Sequence, residues 1–407
     1  MTIPARAVRL RRGDGNERAL LTTLAPPPDL NLAAAALLYD MVALQPSERS
    51  AFGYKRAAKS IVGLTESVVD LVLADRLRDV PFVGPASTRI IRELVETGRS
   101  VTVEKAMAAS AKESDVARRR TLRSNFLSEH AMRQVLDADL PADIVSRDTF
   151  RGDFQMHSTW SDGSESLLSM IEGCAALGQT CLGITDHSHG LPIAKGMSME
   201  TVARQQAEID ALNEELAGRF RVFKGIEANI QADGTLDLAP DERQQFEFVV
   251  AAPHAKLRRT EDQTGRMLAA VGAPGIAMLG HPRGRVFDTR GGVQCDWPRI
   301  FAVAAERQVA VELDGNWHRQ DLDFTLAAQA LDAGCLFALD SDAHSRRELR
   351  FTDYAIAHAR LAGIPADRVI NCWSDDRLAA WMAERQGRRP ARPARSATRA
   401  RARRAAR

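Results

Sequence analysis

The hydrophobic pattern divides the chain into a helical first part and a second part in which short strands alternate with helices. Between residues 29 and 105, apolar positions recur with the period of amphipathic helices, as in LNLAAAALLYDMVALQ, SAFGYKRAAKSIVGL and TESVVDLVLADRL. From residue 149 the candidate strands are TFRGDFQM, TCLGIT, FRVFKGI, FEFVVAA, GIAMLG, VAVEL and CLFALD. Seven strands that alternate with helices predict an α/β fold built as a parallel barrel.

The same pattern predicts how the chain is organised into segments. We expect a disordered N-terminus over 1–28, a small all-α domain over 29–105, a charged helical connector over 106–148 and the barrel over 149–385. From residue 385 to the end there are ten arginines and no acidic residue, with no apolar period, so 386–407 is predicted to be a disordered cationic tail. The tail is either a solubilising appendage or an attraction for nucleic-acid phosphate, and we favour the second.

Composition narrows the class of protein. A chain of 407 residues with 45% apolar residues is long enough for two domains with buried cores. No apolar run approaches the roughly 20 residues that a membrane-spanning helix needs, and no secretory signal is visible. The five cysteines lack zinc-type spacing and mostly lie in apolar segments, which favours reduced thiols in a cytoplasmic protein.

The segment LRDVPFVGPASTRIIRELVETG, residues 77–98, has the layout of a helix-hairpin-helix. A tight PFVG turn is followed at once by a helix, so that helix N-terminal amides are exposed to a phosphate. The predicted DNA contacts are Val83, Gly84, Ala86 and Ser87. A plain helical turn is the alternative, because Phe82 replaces the first glycine expected in such a hairpin.

Residues 29–105 resemble the N-terminal helical domain of family-X DNA polymerases through FGYKRAAKSI followed by VPFVGPASTRIIRELVETG. The resemblance implies contact with DNA. In the eukaryotic branch of that family the second hairpin helix carries a lysine for deoxyribose-phosphate lyase chemistry, but the matching position here is Ile90, which cannot form a Schiff base. The chain also has no room for the polymerase palm with its paired aspartates, so neither lyase nor polymerase activity is predicted.

Histidines and carboxylates follow the predicted strands at the points where the strands end. All C-terminal strand ends of a parallel barrel open on one face, so these side chains are expected to converge there as a metal cluster. The set comprises His157, Asp162, Asp186, His187, Glu227, His254, His281, Asp342 and His344.

The motifs GDFQMHSTWSDG, GITDHS, KGIEANIQADGTLDL, VVAAPH, MLGHPRGR, VELDGNW and LDSDAH resemble those of the PHP (polymerase and histidinol phosphatase) superfamily. They are similar to the C-terminal PHP domain of bacterial family-X polymerases. The resemblance implies a distorted seven-stranded barrel that holds two to three divalent ions for phosphoester hydrolysis. It assigns His157, Glu227 and Asp342 to one ion, Glu227, His254 and His281 to a second, and Asp162, His187 and His344 to a third.

Gln155 stands where the superfamily pattern has a histidine, and its amide oxygen is expected to bind the first ion more loosely than an imidazole would. Mixed imidazole and carboxylate ligands suit Mn²⁺, Zn²⁺ or Fe²⁺. Two close cations lower the pKa of a shared water and clamp the leaving oxygen. Asp186 either orients His187 or caps the following helix.

Basic residues continue three of the ligand-bearing loops and predict a rim that grips further phosphates. We assign Arg258 and Arg283 to catalysis together with Asp186. Further candidates for the rim are Lys256, Arg259, Arg285, Arg346, Arg347, His189 and His318.

These observations predict a metal-dependent phosphoric ester hydrolase that acts on DNA ends, as a 3′-5′ exonuclease or a 3′-phosphatase. One alternative is a small-molecule phosphate monoesterase of the histidinol-phosphatase type. Another is a DNA-binding scaffold with a residual metal site, against which the intact ligands at the strand ends argue. DNA and a phosphate ester are the expected partners.

Overall fold

The N-terminal part of the protein is a compact group of helices. The structure, a computed structural model, describes residues 25–388, so the predictions for residues 1–24 and for the tail from residue 389 lie outside the described residues. The first helices are α1 (Leu30–Leu44), α2 (Glu48–Val62), α3 (Val68–Leu73) and α4 (Pro85–Thr97), with a short 3-10 turn at Leu77–Asp79. Their apolar faces share one core, which includes Leu38, Ile61, Leu71 and Ile90.

The hairpin predicted from PFVG joins the 3-10 turn to α4. Gly84 is the N-cap of α4 and Pro85 its first residue, where a missing N–H costs nothing. Phe82 has φ +68°, a left-handed conformation that glycine adopts without strain. This conformation explains why the hairpin pattern usually has a glycine at this position. The helix ends at Gly98, also left-handed with φ +76°.

The connector consists of α5 (Val101–Ala108), α6 (Glu113–Leu122) and α7 (Glu129–Leu136). The predicted boundary at residue 105 falls inside α5, and Val103 of α5 is buried in the core of the first helices, so this boundary is wrong by a few residues. An apolar face of α7 packs against α14, in the last part of the barrel domain.

All seven predicted strands are present. They are β1 (Gly152–Asp153), β2 (Cys181–Ile184), β3 (Arg221–Asn229), β4 (Phe248–Ala252), β5 (Met278–Leu279), β6 (Ala310–Asp314) and β7 (Leu336–Asp340). They pair in sequence order and every pair is parallel, which confirms the predicted α/β barrel. Around them lie α8 (Leu167–Ala176), α9 (Met199–Glu215), α10 (Pro240–Arg243), α11 (Thr264–Gly272), α12 (Trp297–Glu306), α13 (Phe324–Asp332), α14 (Thr352–Leu361) and α15 (Asp375–Arg385).

Side chains bridge the gap between β1 and β7 and make the barrel distorted but nearly closed. The Asn371 amide donates to the carbonyls of Gly152 and Leu339 at 2.9 and 3.0 Å and accepts from the Leu339 amide at 2.8 Å. A buried asparagine thereby replaces the strand-to-strand bonds that β1 and β7 do not form.

The aromatic residues Phe154, Phe223 and Phe248 form one buried cluster, against which α15 packs with Leu378 and Trp381. Within residues 25–388, the helices are all too short or too polar to cross a bilayer. The five cysteines, all inside this range, form no disulfide.

Candidate metal centre

The predicted ligands converge where the barrel strands end. Glu227 lies within β3, while the other ligands follow β1, β2, β4, β5 and β7 in the loops. Three overlapping groups have ligand atoms within 4.8 Å of one another. These groups are His157, Asp162, His187 and His344; His187, Glu227 and His254; and His157, Glu227 and Asp342.

Glu227 is the centre of the cluster and is fully buried. Its Oε1 lies 2.9 Å from His281 Nε2 and 3.2 Å from His254 Nε2. Its Oε2 lies 3.1 Å from His187 Nδ1 and 3.4 Å from His157 Nε2. One carboxylate therefore faces four imidazoles, which is the position that a ligand bridging two ions would have.

Two histidines each use both ring nitrogens toward the cluster. His157 Nε2 is 3.1 Å from Asp342 Oδ1, while its Nδ1 is 4.0 Å from Asp162 Oδ1. His187 faces Glu227 with Nδ1 and Asp162 with Nε2, the latter at 3.7 Å. The three predicted sets are therefore brought together but share members, since His157 also joins the Asp162 group and His187 also joins the group of Glu227 and His254.

Charges in the cluster are set by the neighbours of each group. Burial opposes ionisation of Glu227, but His187 and His254 outweigh it and hold the pKa of Glu227 well below its usual value. Burial lowers the pKa of His187 to about 3. An ionised carboxylate and a neutral imidazole are the forms that bind a metal. His344 differs, because Asp162 and Asp342 overcome burial and raise its pKa to about 10, so a cation there must displace a proton.

Several buried polar atoms of the site have no hydrogen-bond partner among residues 25–388. They include both amide atoms of Gln155 and the Nδ1 atoms of His254 and His281. Buried polar groups are nearly always paired in folded proteins, so a set of unpaired donor atoms calls for a ligand. Borderline divalent cations fit this mixture of nitrogen and oxygen donors. Gln155 is completely buried, as a ligand position requires.

Of the two roles predicted for Asp186, its contacts agree with orienting ligands and not with capping a helix, while its assignment to catalysis stays a prediction. It accepts hydrogen bonds from the Ser158 amide and hydroxyl at 2.8 and 2.6 Å and from Gln205 Nε2 at 2.6 Å. The Ser161 hydroxyl also donates to it. The following helix, α9, is capped by Ser198, so the helix-cap prediction is wrong. Asp186 orients ligands by holding the loop that carries His157 and Asp162.

The basic rim is only partly as predicted. Arg285 is buried and bonds Asp323 at 3.1 Å and the Ser124 carbonyl at 3.1 Å, so its assignment to an exposed rim is wrong. Arg283 also pairs with Asp323, at 3.1 Å, and its catalytic role stays a prediction. Arg258 is exposed and donates to the Thr289 carbonyl at 3.3 Å.

Arg319 is a residue of the site that was not predicted from the sequence. Its guanidinium contacts Asp342 and lies 3.3 Å from Asp314 Oδ2, at the end of β6. Burial opposes the charge, but Asp342 and Asp314 raise the pKa of Arg319 above its usual value. The pattern offered a signal, since β6 ends in Asp314 and is the one strand end without a predicted metal ligand.

The predicted DNA contacts of the hairpin lie at the start of α4. The side chains of Val83 and Ser87 are buried, while Gly84 and Ala86 are more accessible. The first amides of any helix lack a partner within that helix, so those of Ala86 and Ser87 are available in principle. Their contact with DNA stays a prediction.

Comparison with known proteins adds relatives of two kinds. No family model matches the chain. The DNA polymerase/3′-5′ exonuclease PolX of Bacillus subtilis is 33% identical over 241 residues, which are 59% of this chain and 42% of PolX. A probable phosphatase of Edwardsiella ictaluri is 26% identical over 251 residues, which are 58% of this chain and 95% of that protein.

Among solved structures, the histidinol phosphate phosphatase of Lactococcus lactis, complexed with zinc, L-histidinol and phosphate, superposes with a TM-score of 0.41 at 16% identity. The match covers 51% of this chain and 93% of that one. The chain spans less than half of PolX. The chain is homologous to PolX and to the probable phosphatase over somewhat more than half of its length, and its seven parallel strands form the nearly closed barrel that the pattern predicted.

Proposed function

We propose that the protein is a metal-dependent phosphoric ester hydrolase that processes DNA ends, as a 3′-5′ exonuclease or a 3′-phosphatase. The observation that carries the proposal is the buried carboxylate of Glu227 facing four imidazoles at the open end of the barrel. Similarity to an exonuclease and to probable phosphatases supports phosphoester hydrolysis as the class of reaction.

In this proposal the three groups of the cluster hold two to three divalent ions, Mn²⁺, Zn²⁺ or Fe²⁺. Such ions activate water and neutralise charge on the phosphate oxygens. The side chains of the protein hold the ligands in position. Glu227 is shared between groups, Asp186 holds the loop of His157 and Asp162, and Arg319 holds Asp342.

DNA is favoured over a small ester because the chain has a second module beside the barrel. The hairpin before α4 presents helix N-terminal amides, which bind phosphate well. A small-molecule monoesterase is the second candidate, supported by the probable phosphatase whose length is matched almost completely. The DNA-binding scaffold is the least supported, because a residual site would not keep the whole cluster assembled.

The test uses purified full-length chain, stripped with chelator and reloaded with Mn²⁺ or Zn²⁺. It is assayed on 3′-labelled oligonucleotides, 3′-phosphorylated oligonucleotides and an aryl phosphate. Activity should require metal. It should fall at least about a hundredfold in each of the variants Glu227→Gln, His254→Ala and Asp342→Asn, which is more than the loss expected from a residue that only supports a ligand. Glu306→Gln, on the outer helix α12, removes a carboxylate away from the cluster and should change little.

Full activity after chelation would refute the metal mechanism. Hydrolysis of the aryl phosphate alone would replace DNA ends by the small-molecule alternative. If no substrate is cleaved while metal content is complete, the scaffold alternative stands.

A further inference from the structure

A cationic groove of about 830 Å³ lies between the N-terminal helices and the barrel. The helices contribute α2 and part of α1, the connector contributes α6, and the barrel contributes the loops after β4, β5 and β6. One acidic side chain, Asp288, lines it and is already paired with Arg119 at 3.2 Å. The basic side chains that line it are Lys55, Arg56, Lys59, Arg118, Arg119 and Arg258.

The spacing of residues on α2 explains the groove's charge. Phe52, Lys55, Arg56 and Lys59 follow one another at intervals of three and four residues and therefore lie on one helix face. The opposite face is buried in the core of the N-terminal helices. Lys55, Arg56 and Lys59 form no ion pair with any residue in the described range 25–388, so their charges remain available to an anionic ligand.

Exposed aromatic rings stand at the edge of these charges. The guanidinium carbon of Arg56 is 3.4 Å from the ring centre of Phe82 and 5.3 Å from that of Phe52. Phe52 is 57% exposed and Phe82 is 52% exposed. Phe82 also has the left-handed φ of +68°, where a phenylalanine is strained. The Arg56 guanidinium is stacked over one face of the Phe82 ring, so the outer faces of this stack and the exposed Phe52 ring are the surfaces on which unpaired bases can stack.

Two loops of the groove wall also carry residues of the metal centre or residues that contact it. Lys59 Nζ lies 5.3 Å from the ring centre of Trp317, and the rings of Trp317 and His318 are 3.4 Å apart. The next residue, Arg319, contacts Asp342 of the cluster. On the other wall, Arg258 belongs to the loop that starts with His254.

We propose that this groove binds the single-stranded 3′ segment of a nucleic acid and leads it to the metal centre. The basic side chains contact the phosphates, while Phe52, Arg56 and Phe82 stack against the bases. A duplex keeps its base faces stacked inside, so it cannot use this surface unless its end is unpaired. The inference rests on the proposed function, since it names the form of DNA that the site receives.

Binding is measured by fluorescence anisotropy on the full chain in chelator, so that no cleavage occurs. The probes are a labelled oligothymidylate of about 12 nucleotides, within the usual site size, and a blunt duplex of equal length. We expect the single strand to bind at least about fivefold more tightly than the duplex, and Phe52→Ala/Phe82→Ala to weaken the single strand at least about tenfold. Both rings are more than half exposed, so the fold should survive, which thermal unfolding checks.

A charge variant, Lys59→Ala, and two control variants, Leu73→Ala and Lys105→Ala, separate the contribution of stacking from that of charge. Leu73→Ala truncates a side chain of the N-terminal helices that is 79% exposed and outside the groove, and it should leave affinity within about twofold. Lys59→Ala should reduce the slope of affinity against salt by about one, whereas Lys105→Ala, on the exposed face of α5, should not. The aromatic variant should lower affinity equally at all salt concentrations.

Equal affinity of the aromatic variant and the wild type would overturn the stacking inference, and so would tighter binding of the duplex. If the affinity depends on salt but not on the aromatic side chains, the groove binds anionic chains in general through charge alone. Tight single-strand binding without cleavage of any oligonucleotide would instead refute the proposed function and leave the groove assignment intact.

Discussion

Replacing Gln155 by methionine should stabilise the metal-free protein. The amide of Gln155 is completely buried, and neither its oxygen nor its nitrogen has a hydrogen-bond partner among residues 25–388. A buried amide without a partner costs about 1–3 kcal/mol, and methionine has similar length without that polar group. We therefore expect Gln155→Met to raise the free energy of unfolding in chelator by about 1–3 kcal/mol.

The same variant should respond less to metal if the Gln155 oxygen is a ligand. A tenfold loss of affinity for one ion lowers the stabilisation at saturating metal by about 1.4 kcal/mol. Gln155→His should act in the opposite direction, because imidazole is a better donor to borderline cations than an amide oxygen. Its activity should reach the maximum at lower free Mn²⁺, with little change in the saturated rate.

The assay is urea unfolding in chelator and at fixed free Mn²⁺, with metal content counted on the same samples. Gln320→Met is the matched control. Gln320 is also buried, but its amide bonds the Leu127 backbone at 2.8 and 3.0 Å, so the same change should destabilise by about 1–3 kcal/mol. If Gln155→Met destabilises the metal-free protein as the control does, the account of Gln155 as a metal ligand with an unpaired amide is wrong.

Two further predictions concern stability. Asp40 is buried and pairs with buried Arg123 at 2.6 Å, so Asp40→Asn should lower the free energy of unfolding in urea by about 3–5 kcal/mol. Glu66 belongs to an exposed pair, so Glu66→Gln should change that free energy by about 1 kcal/mol or less, and similar losses in the two variants would contradict this reasoning. Burial lowers the pKa of His358 to about 3, while the unfolded chain protonates it near pH 6.5, so stability should fall with pH from about 6.5 toward 4, by up to about 1.4 kcal/mol per unit. His358→Gln keeps an acceptor for the Phe324 amide and should flatten this slope in urea unfolding at several pH values; an unchanged slope would exclude His358 as its source.

Much of the barrel and its site could be predicted because both depend on local pattern and topology. Strands of four to nine residues, such as β2 and β3, are visible as largely apolar segments with turn residues between them. In a parallel barrel the order of the strands then brings the following residues to one face, so His157, Glu227 and His254 could be grouped without knowing a single distance.

Other features depended on how segments pack against each other. Arg283 and Arg285 are alike in sequence context, yet one is partly exposed and the other buried against Asp323 and connector carbonyls. Arg319 reaches Asp342 because the loop after β6 folds back on the end of that strand, where Asp321 pairs with Asp314. Local patterns carry no information about such distant partners.

By itself, therefore, the sequence determined the strand order, the ligand types and the face on which they meet, since each follows from periodicity and chain direction. Only the tertiary structure decided that His157 and His187 are shared between ligand groups, and that α2 of the N-terminal helices faces the loops after β4 and β6 across a cationic groove. Both depend on the rotation of rings and helices about their axes. That rotation is set by packing between residues far apart in the chain, and no spacing along the sequence encodes it.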